Sequence, residues 1–442
     1  MVYFLNRRSL MKYLKMMAIA LILMLDMVGL AQTNAQHATE VEILLRAYTT
    51  LTTLHLPPSD PKRLAEAAVR ALPRGAAPIP TFTPDAETDS RLLERYARAV
   101  FAEQKPGDTR LWETVKAMIT ATEDPHTVLF SPEQLKALDP FLNGLPSVEN
   151  GAAIDFLRDG RYVVTDVDPS SPTGKAGLRP GDVVLAIDGR EASALSQVDF
   201  LFPWHNGTAV IWKVRRPGLN DPVELKVTPF TWLAPLVDSR MLEDSVGYVR
   251  LRFFLGSKDA LRDSASLVRV RLEQLTHAGA RSFVFDLRGN PGGVGVGEVF
   301  SIFSEGEPVL LFRDRNGKDE VWHREGQTGT GSLPVVLLVD SGTFSAAEFT
   351  AYALQQYKSA LILGSQTGGG LSLPENLELA YGYMLHYSGK AVVGPVCHCV
   401  ASSQRVVPDV VLPERTPEEL ATGVDRVLSA AVAKAKELRT SK

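Results

Sequence analysis

The chain has 442 residues, 45% of them hydrophobic and 22% charged, with a formal net charge of -4 at neutral pH. That length allows about two to four domains with real cores, and the balance is ordinary for a folded globular protein. No basic run follows the N-terminus, which argues against a nucleic-acid partner.

Arg7, Arg8, Lys12 and Lys15 precede or enter an apolar run from Met16 to Leu30. Small residues follow at Gly29-Leu-Ala31 and Thr33-Asn-Ala35. This is the layout of a secretory signal cleaved after Ala31 or Ala35, so residues 1–35 are read as a signal peptide. Asp26 interrupts the run, and an uncleaved N-terminal anchor is the other reading. Either one exports the rest of the protein to the periplasm, the cell envelope or the medium. The second also implies membrane association through the N-terminus. No cysteine stands near the cleavage region, which argues against a lipid anchor.

Residues 37–142 read as a helical domain. Val41, Leu44, Leu45 and Tyr48 share one face of a helix over 37–56. Ser59-Asp-Pro61 opens another, and 87–103 and 109–122 carry further amphipathic patterns. Asp124-Pro-His126-Thr127 breaks the last of these, because a proline disfavours helix in the residue before it. Ser131 as cap and Pro132 at the first position start one more helix.

From Ser147 the pattern changes to short strands and Gly/Pro turns. Strands are expected over 153–157, 161–166 and 182–188, with a hairpin over 210–215 and 223–228. The run Ser171-Pro-Thr-Gly-Lys-Ala-Gly-Leu-Arg-Pro-Gly-Asp182, with Asp188-Gly189 after it, resembles a PDZ domain over about 147–229. Such a module binds an extended chain end by strand addition, its backbone N–H groups holding the carboxylate. Asn150-Gly151-Ala-Ala-Ile154 falls at the carboxylate loop, so the resemblance makes Gly151 and Ile154 the substrate-binding residues. A β-rich insert without a ligand is the plainer alternative.

Strand and helix then alternate over 230–442. Val246 to Phe254 and Ser282 to Leu287 read as strands, with a helix over 258–277 between them. Pro334 to Asp340 is a buried strand that runs into Ser341-Gly-Thr-Phe344, and Ser345-Ala-Ala-Glu348 opens the next helix. A second buried strand, Ala360 to Gly364, ends in Thr367-Gly-Gly-Gly370. Thr416-Pro-Glu-Glu419 caps a last amphipathic helix. The alternation argues for an α/β core. A strand, a sharp turn and a helix lift one side chain to the mouth of a sheet, beside free helix N–H groups. That geometry suits an acyl-transfer nucleophile. Ser345-x-x-Glu348 is equally a capping box. Gly289 to Gly293 offers further backbone donors.

Asp286-Leu-Arg-Gly-Asn-Pro-Gly-Gly293, Ser345-Ala-Ala-Glu348, Gly364-x-x-Thr367 and Val407-Pro-Asp409 stand in the order found in the tail-specific, or carboxy-terminal processing, serine proteases. With the PDZ run and Gly247-Tyr-Val-Arg-Leu, the resemblance spans about residues 37–415. It implies an α/β catalytic core of ClpP/crotonase-like fold with an inserted PDZ domain and an N-terminal helical domain. It further implies a Ser345 nucleophile, an oxyanion hole from Gly292 and Ala346, no cofactor, and protein or peptide substrates with exposed C-terminal tails.

The best-known branch of that family uses a Ser-Lys dyad, but Gly370 falls at its lysine and Pro374 at its supporting glutamine. A second branch, similar to the tricorn protease, reads Thr-Gly-Gly-Gly there. Its base is a histidine ahead of the PDZ module, matched here by His126 within Asp124-Pro-His-Thr127. Relatives in that branch carry a glutamate to steady the histidine, and Ser402 falls at its position. An endopeptidase using Ser345 and His126 is therefore one expectation. A non-catalytic, PDZ-bearing binding scaffold is the other. Cys397 and Cys399 flank His398, and of a strained disulfide, an incomplete zinc site and two buried strand thiols, the last is expected.

Overall fold

A computed structural model describes residues 35–105, 110–148, 150–157, 160–195, 200, 207–256, 262–326 and 333–440. The signal or anchor expected over 1–35 therefore lies almost entirely outside the described residues. Among those described, no helix is long and apolar enough to cross a membrane.

The chain forms two compact units. The first holds residues up to Glu123 together with Glu378–Tyr381. It contains α1 (35–53), α2 (Pro61–Ala71), α3 (Ala86–Ala102) and α4 (Leu111–Thr122). Asp60 caps α2 and Asp85 caps α3, each side chain accepting a backbone N–H of the first turn. Of the face predicted on α1, Val41, Leu44 and Tyr48 are buried and Leu45 is half-buried; Leu64 on α2, Leu93 and Val100 on α3, and Val115 and Met118 on α4 are buried as well.

The helical domain was expected to run to residue 142, and this boundary moves to 123. The reason is a pairing far along the chain. Strand β1 (Val128–Phe130) pairs antiparallel with a strand near the C-terminus, Val128 opposite His386. Helix α5 (Pro132–Leu142) follows, with Ser131 and Gln134 forming its capping box. Both belong to the second unit.

That unit carries two structural blocks. The first is a sheet ordered β2 (Ala152–Phe156), β3 (Tyr162–Val167), β4 (Val183–Ile187), β5 (Val210–Arg215) and β6 (Val223–Val227). Its core gathers Val164, Val184, Trp212, Val214 and Val227. β2 is an edge strand of this sheet, paired on one side with β3.

The second block is a six-stranded sheet ordered β7 (Val237–Leu242), β8 (Val246–Leu251), β9 (Ser282–Asp286), β12 (Val335–Val339), β13 (Leu361–Gly364) and β16 (Val410–Val411). All neighbours are parallel except β7 with β8. Side chains alternate cleanly between faces. Phe283, Phe285, Val335, Leu337 and Val339 pack on α6 (Ser264–His277), α7 (Val296–Phe303) and α8 (Ala346–Gln356). Val284, Val336 and Leu338 pack on α9 (Arg426–Thr440). Fully buried parallel strands are apolar on both faces, which is why β12 reads as an uninterrupted hydrophobic run. A smaller antiparallel sheet joins β1, β10 (Leu310–Arg313), β11 (Asp319–Trp322), β14 (Ser372–Glu378) and β15 (Met384–Val393).

Cys397 and Cys399 correct the expectation of buried strand thiols. They stand exposed in the turn after β15 and form a disulfide with each other. The turn gives the two residues an approach that an extended strand would not.

Candidate active site

β12 runs into Asp340, whose Oδ1 accepts the N–H of Gly289 at 2.8 Å, the N–H of Gly342 at 3.1 Å and the Thr343 hydroxyl at 3.3 Å. Phe344 N–H donates to Asn290 O at 2.9 Å. These bonds stitch the turn after β12 to the glycine loop after β9. Ser345 leaves the turn with φ 52 and ψ -121, a backbone that a residue with a Cβ rarely adopts. Strain of this kind is familiar in nucleophile turns that expose a hydroxyl at the top of a sheet.

The helix after Ser345 is tied down by Glu348. This carboxyl is fully buried and accepts the N–H groups of Ser345 at 3.0 Å, Gly369 at 3.0 Å and Gly370 at 2.5 Å, together with the Thr367 hydroxyl. Burial pushes its pKa up to about 7, against the pull of those four donors. Glu348 is thus more than a cap, since it fastens the Thr367–Gly370 loop onto the start of α8.

Gly292 packs against the same point. A methyl group on it would stand 2.7 Å from Ser345 Cβ and 2.9 Å from Ala346 N, so only glycine fits. Its own N–H, however, donates to Asn290 Oδ1 at 2.8 Å. Of the two expected oxyanion donors, Gly292 has its N–H engaged within its own loop, and Ala346 opens α8 beside it.

His126 is buried, and its N–H donates to Asp124 Oδ1 at 3.0 Å. Its Nδ1 meets Ser372 Oγ at 3.2 Å, and Ser372 Oγ lies 2.5 Å from Ser388 Oγ. The Phe344 ring packs edge-on against the imidazole, centroids 5.1 Å apart. No hydrogen bond joins His126 to Ser345 among the described residues. Burial lowers the His126 pKa to about 4, while Asp124 and a backbone hydrogen bond with Ser372 act the other way. Ser402, expected near the histidine, is exposed, and Ser372 occupies the place at Nδ1. Ser372 lies on β14, which sequence reading left unassigned.

A cavity of about 590 Å³ brings the remaining candidates together. Ser345, Gly342 and Pro291 line it from the core, and Gly151, Ala152 and Ile154 from the β2 edge. His386 of β15 also faces it, its Nδ1 2.6 Å from Asn376 Oδ1. Gly151 has φ +78, and a methyl group there would stand 2.1 Å from Ser171 Cβ. The Ala152 N–H donates to Asn150 Oδ1 at 2.6 Å, so this loop donor is engaged. Arg250 and Arg252 reach from β8 and the residue after it to Asp166 of β3. Among the described residues, no group of three or more His, Cys, Asp or Glu could hold a metal ion.

Residues 245–412 match the profile of Peptidase family S41, and residues 163–216 match a PDZ domain. The carboxyl-terminal-processing protease of Picosynechococcus sp. is 30% identical over 325 residues, covering 70% of this chain and 75% of that protein. The chain belongs to the carboxyl-terminal-processing protease family. It carries the peptidase domain of this serine protease family together with a PDZ domain. The carboxy-terminal processing protease CtpA of Bacillus subtilis is 27% identical over 274 residues, 60% of this chain and 56% of that protein. In fold, the family member solved as photosystem II D1 C-terminal processing protease superposes with a TM-score of 0.59. It covers 89% of this chain and 97% of its own, at 22% identity. A putative S41 protease from Bacteroides fragilis reaches 0.51 over the same shares at 15% identity.

Gly370, expected at the lysine position of the best-known branch, leaves little room for a side chain. A methyl group there would lie 2.8 Å from Phe344 Cζ and 3.0 Å from Glu348 Oε2. Lys390 is paired with Glu320 at 2.7 Å and Glu375 at 3.4 Å, and the first of these bonds raises its pKa, the opposite of what a base requires. Lys358 is exposed.

Proposed function

We propose that this protein is an exported serine endopeptidase that cuts protein substrates held by a C-terminal tail. Ser345 is its nucleophile, Ala346 its main oxyanion donor with Gly292 beside it, and His126 its base. The observation that carries this reading is the shared cavity, since one space is lined both by Ser345 and by the free edge of β2. A tail that adds to β2 by backbone pairing enters that space directly. The lowered pKa of His126 keeps its imidazole neutral, and so able to accept a proton, across the neutral range.

Two features favour a second reading, a PDZ-bearing binding scaffold. His126 bonds to Ser372 rather than Ser345, and the Gly292 N–H is already engaged. A fluorophosphonate probe separates the two. Labelling of the wild type but not of Ser345→Ala supports the peptidase, and an unlabelled wild type supports the scaffold. Export is tested by N-terminal sequencing of the mature protein. A new start after Ala31 or Ala35 supports a cleaved signal, and an intact Met1 on a membrane-bound form supports the anchor.

A further inference from the structure

The turn that carries Ser345 has a second attachment, and it comes from the PDZ domain. Asp155 lies on β2, between residues that face the cavity and the end of the strand. Its carboxyl is buried and lines one small cavity together with the Asp340 carboxyl. Thr165 Oγ1 on β3 donates to Asp155 Oδ1 at 3.4 Å. The approach is tight. A methyl group on Gly342 would stand 2.0 Å from Asp155 Oδ1, so Gly342 leaves the gap through which Asp155 reaches Asp340. Asp340 is the residue that collects the N–H groups of Gly289 and Gly342.

We propose that Asp155 is a positioning residue for Ser345: a hydrogen bond from its carboxyl to that of Asp340 lets the peptide-binding strand of the PDZ domain set the turn that carries the nucleophile. Only its effect on rate rests on the nucleophile reading above. The link itself does not.

Two carboxyls can hydrogen-bond only when one of them carries a proton. Asp155 is the holder, because burial first and the Asp340 charge second push its pKa well above the ordinary carboxylate value. Glu414 adds to that push and Arg415 opposes it. Arg288, paired with Asp286 and Asp425, lines the same small polar cavity, and Arg250 points toward Gly289 beside it. With the proton present, β2 and the turn are joined. Once it leaves, two buried carboxylates face each other and the joint becomes a repulsion. For a raised pKa the sign is fixed. The stabilisation is complete below the unfolded value of about 3.9 and is lost as pH rises through the folded one. A peptide added along β2 acts on the same strand, so substrate occupancy and protonation meet at one contact.

The test measures two things across pH in the full chain: amide-exchange protection over residues 340–346, and the rate at which a fluorophosphonate labels Ser345. In the wild type, protection and labelling should fall together through one ionisation as pH rises. Asp155→Asn keeps a donor that cannot lose its proton in this range, so both alkaline falls should disappear. Asp155→Ala should show low protection at every pH and label roughly ten-fold more slowly. Ser345→Ala should retain the wild-type exchange transition. A wild type that never labels but shows this transition would overturn the nucleophile and leave the link standing. The same alkaline transition in Asp155→Asn as in the wild type, or wild-type protection in Asp155→Ala, would overturn the link.

Discussion

The two sides of the proposed catalytic centre are built on opposite plans. On the nucleophile side, the loops that hold Ser345 are fastened by two buried carboxyls. Glu348 takes four donors, Asp340 takes three, and Gly292 and Gly293 leave no space for a side chain. On the base side, His126 rests against the Phe344 and His386 rings with one hydroxyl at Nδ1 and, among the described residues, no carboxylate on its ring. The first plan fixes geometry, because each buried donor would cost about 1–3 kcal/mol if left without its partner. The second sets protonation, because an apolar surround disfavours the imidazolium and lowers the pKa. The nucleophile side should therefore fail through structure, and the base side through chemistry.

The largest effect is expected on the base side. His126→Ala should lower kcat/KM by about 100 to 10,000-fold, the worth of general-base help. The acid limb of the wild-type profile should sit near the lowered value of about 4, well below the usual imidazole range. Stability follows the same sign. Neutral buried His126 contributes above the unfolded value of about 6.5, and that contribution is lost as pH falls toward about 4. A limb at 6.5 or higher, or full activity in His126→Ala, would remove His126 from the reaction.

Glu348 should behave in the contrary way. Glu348→Ala orphans four buried donors and should cost about 3 kcal/mol or more of stability, seen in urea unfolding, with activity lost as a consequence. Its raised pKa of about 7 means that its stabilisation is complete below the unfolded value of about 4.3 and declines as pH rises through 7. Glu348→Gln should flatten that decline. An unfolding midpoint in Glu348→Ala equal to wild type would show that the loop does not depend on the carboxyl.

How much of this could be read in the sequence depended on distance along the chain. The Ser345 turn, the Gly289–Gly293 loop and the helix caps at Asp60 and Ser131 are local patterns, and the structure places each near its predicted residue. The apolar runs of β9 and β12 are likewise local. Ser372 is different, because it meets His126 across 246 residues, and only the pairing of β1 with β15 and β15 with β14 brings it there. The same pairing moved the end of the helical domain from 142 to 123. A signal for β15 did exist, in Leu385 and Tyr387 buried at alternate positions. Asp155 could not be found this way at all. Its partner follows a strand of another sheet, far along the chain, and an acid on a strand gives no sign that it will be buried beside a second acid.

Gly370→Lys tests whether a lysine base can be placed in this loop. The added side chain would press on Phe344 and on the Glu348 carboxyl, so overpacking of roughly 1–3 kcal/mol is expected, with no gain in rate. A rise in activity, or activity that survives a second substitution His126→Ala, would show that the Ser-Lys chemistry fits this scaffold after all.

The smallest effect belongs to Ser372→Ala. The substitution removes a hydroxyl that meets His126 Nδ1 and Ser388 Oγ, but leaves the backbone hydrogen bond that acts on the same imidazole. A neutral hydrogen bond of this kind contributes about 0.5–1.5 kcal/mol, so kcat/KM should fall by about ten-fold or less. KM should hold while kcat falls, because Ser372 orients the base and does not line the substrate cavity. The acid limb should move little, since burial rather than this hydroxyl dominates the His126 pKa. Ser372→Thr, which keeps the hydroxyl, should recover most of the loss. A drop as large as that of His126→Ala would mean that Ser372 fixes the imidazole tautomer outright, and that the sparse base side is as dependent on one contact as the nucleophile side is on Glu348.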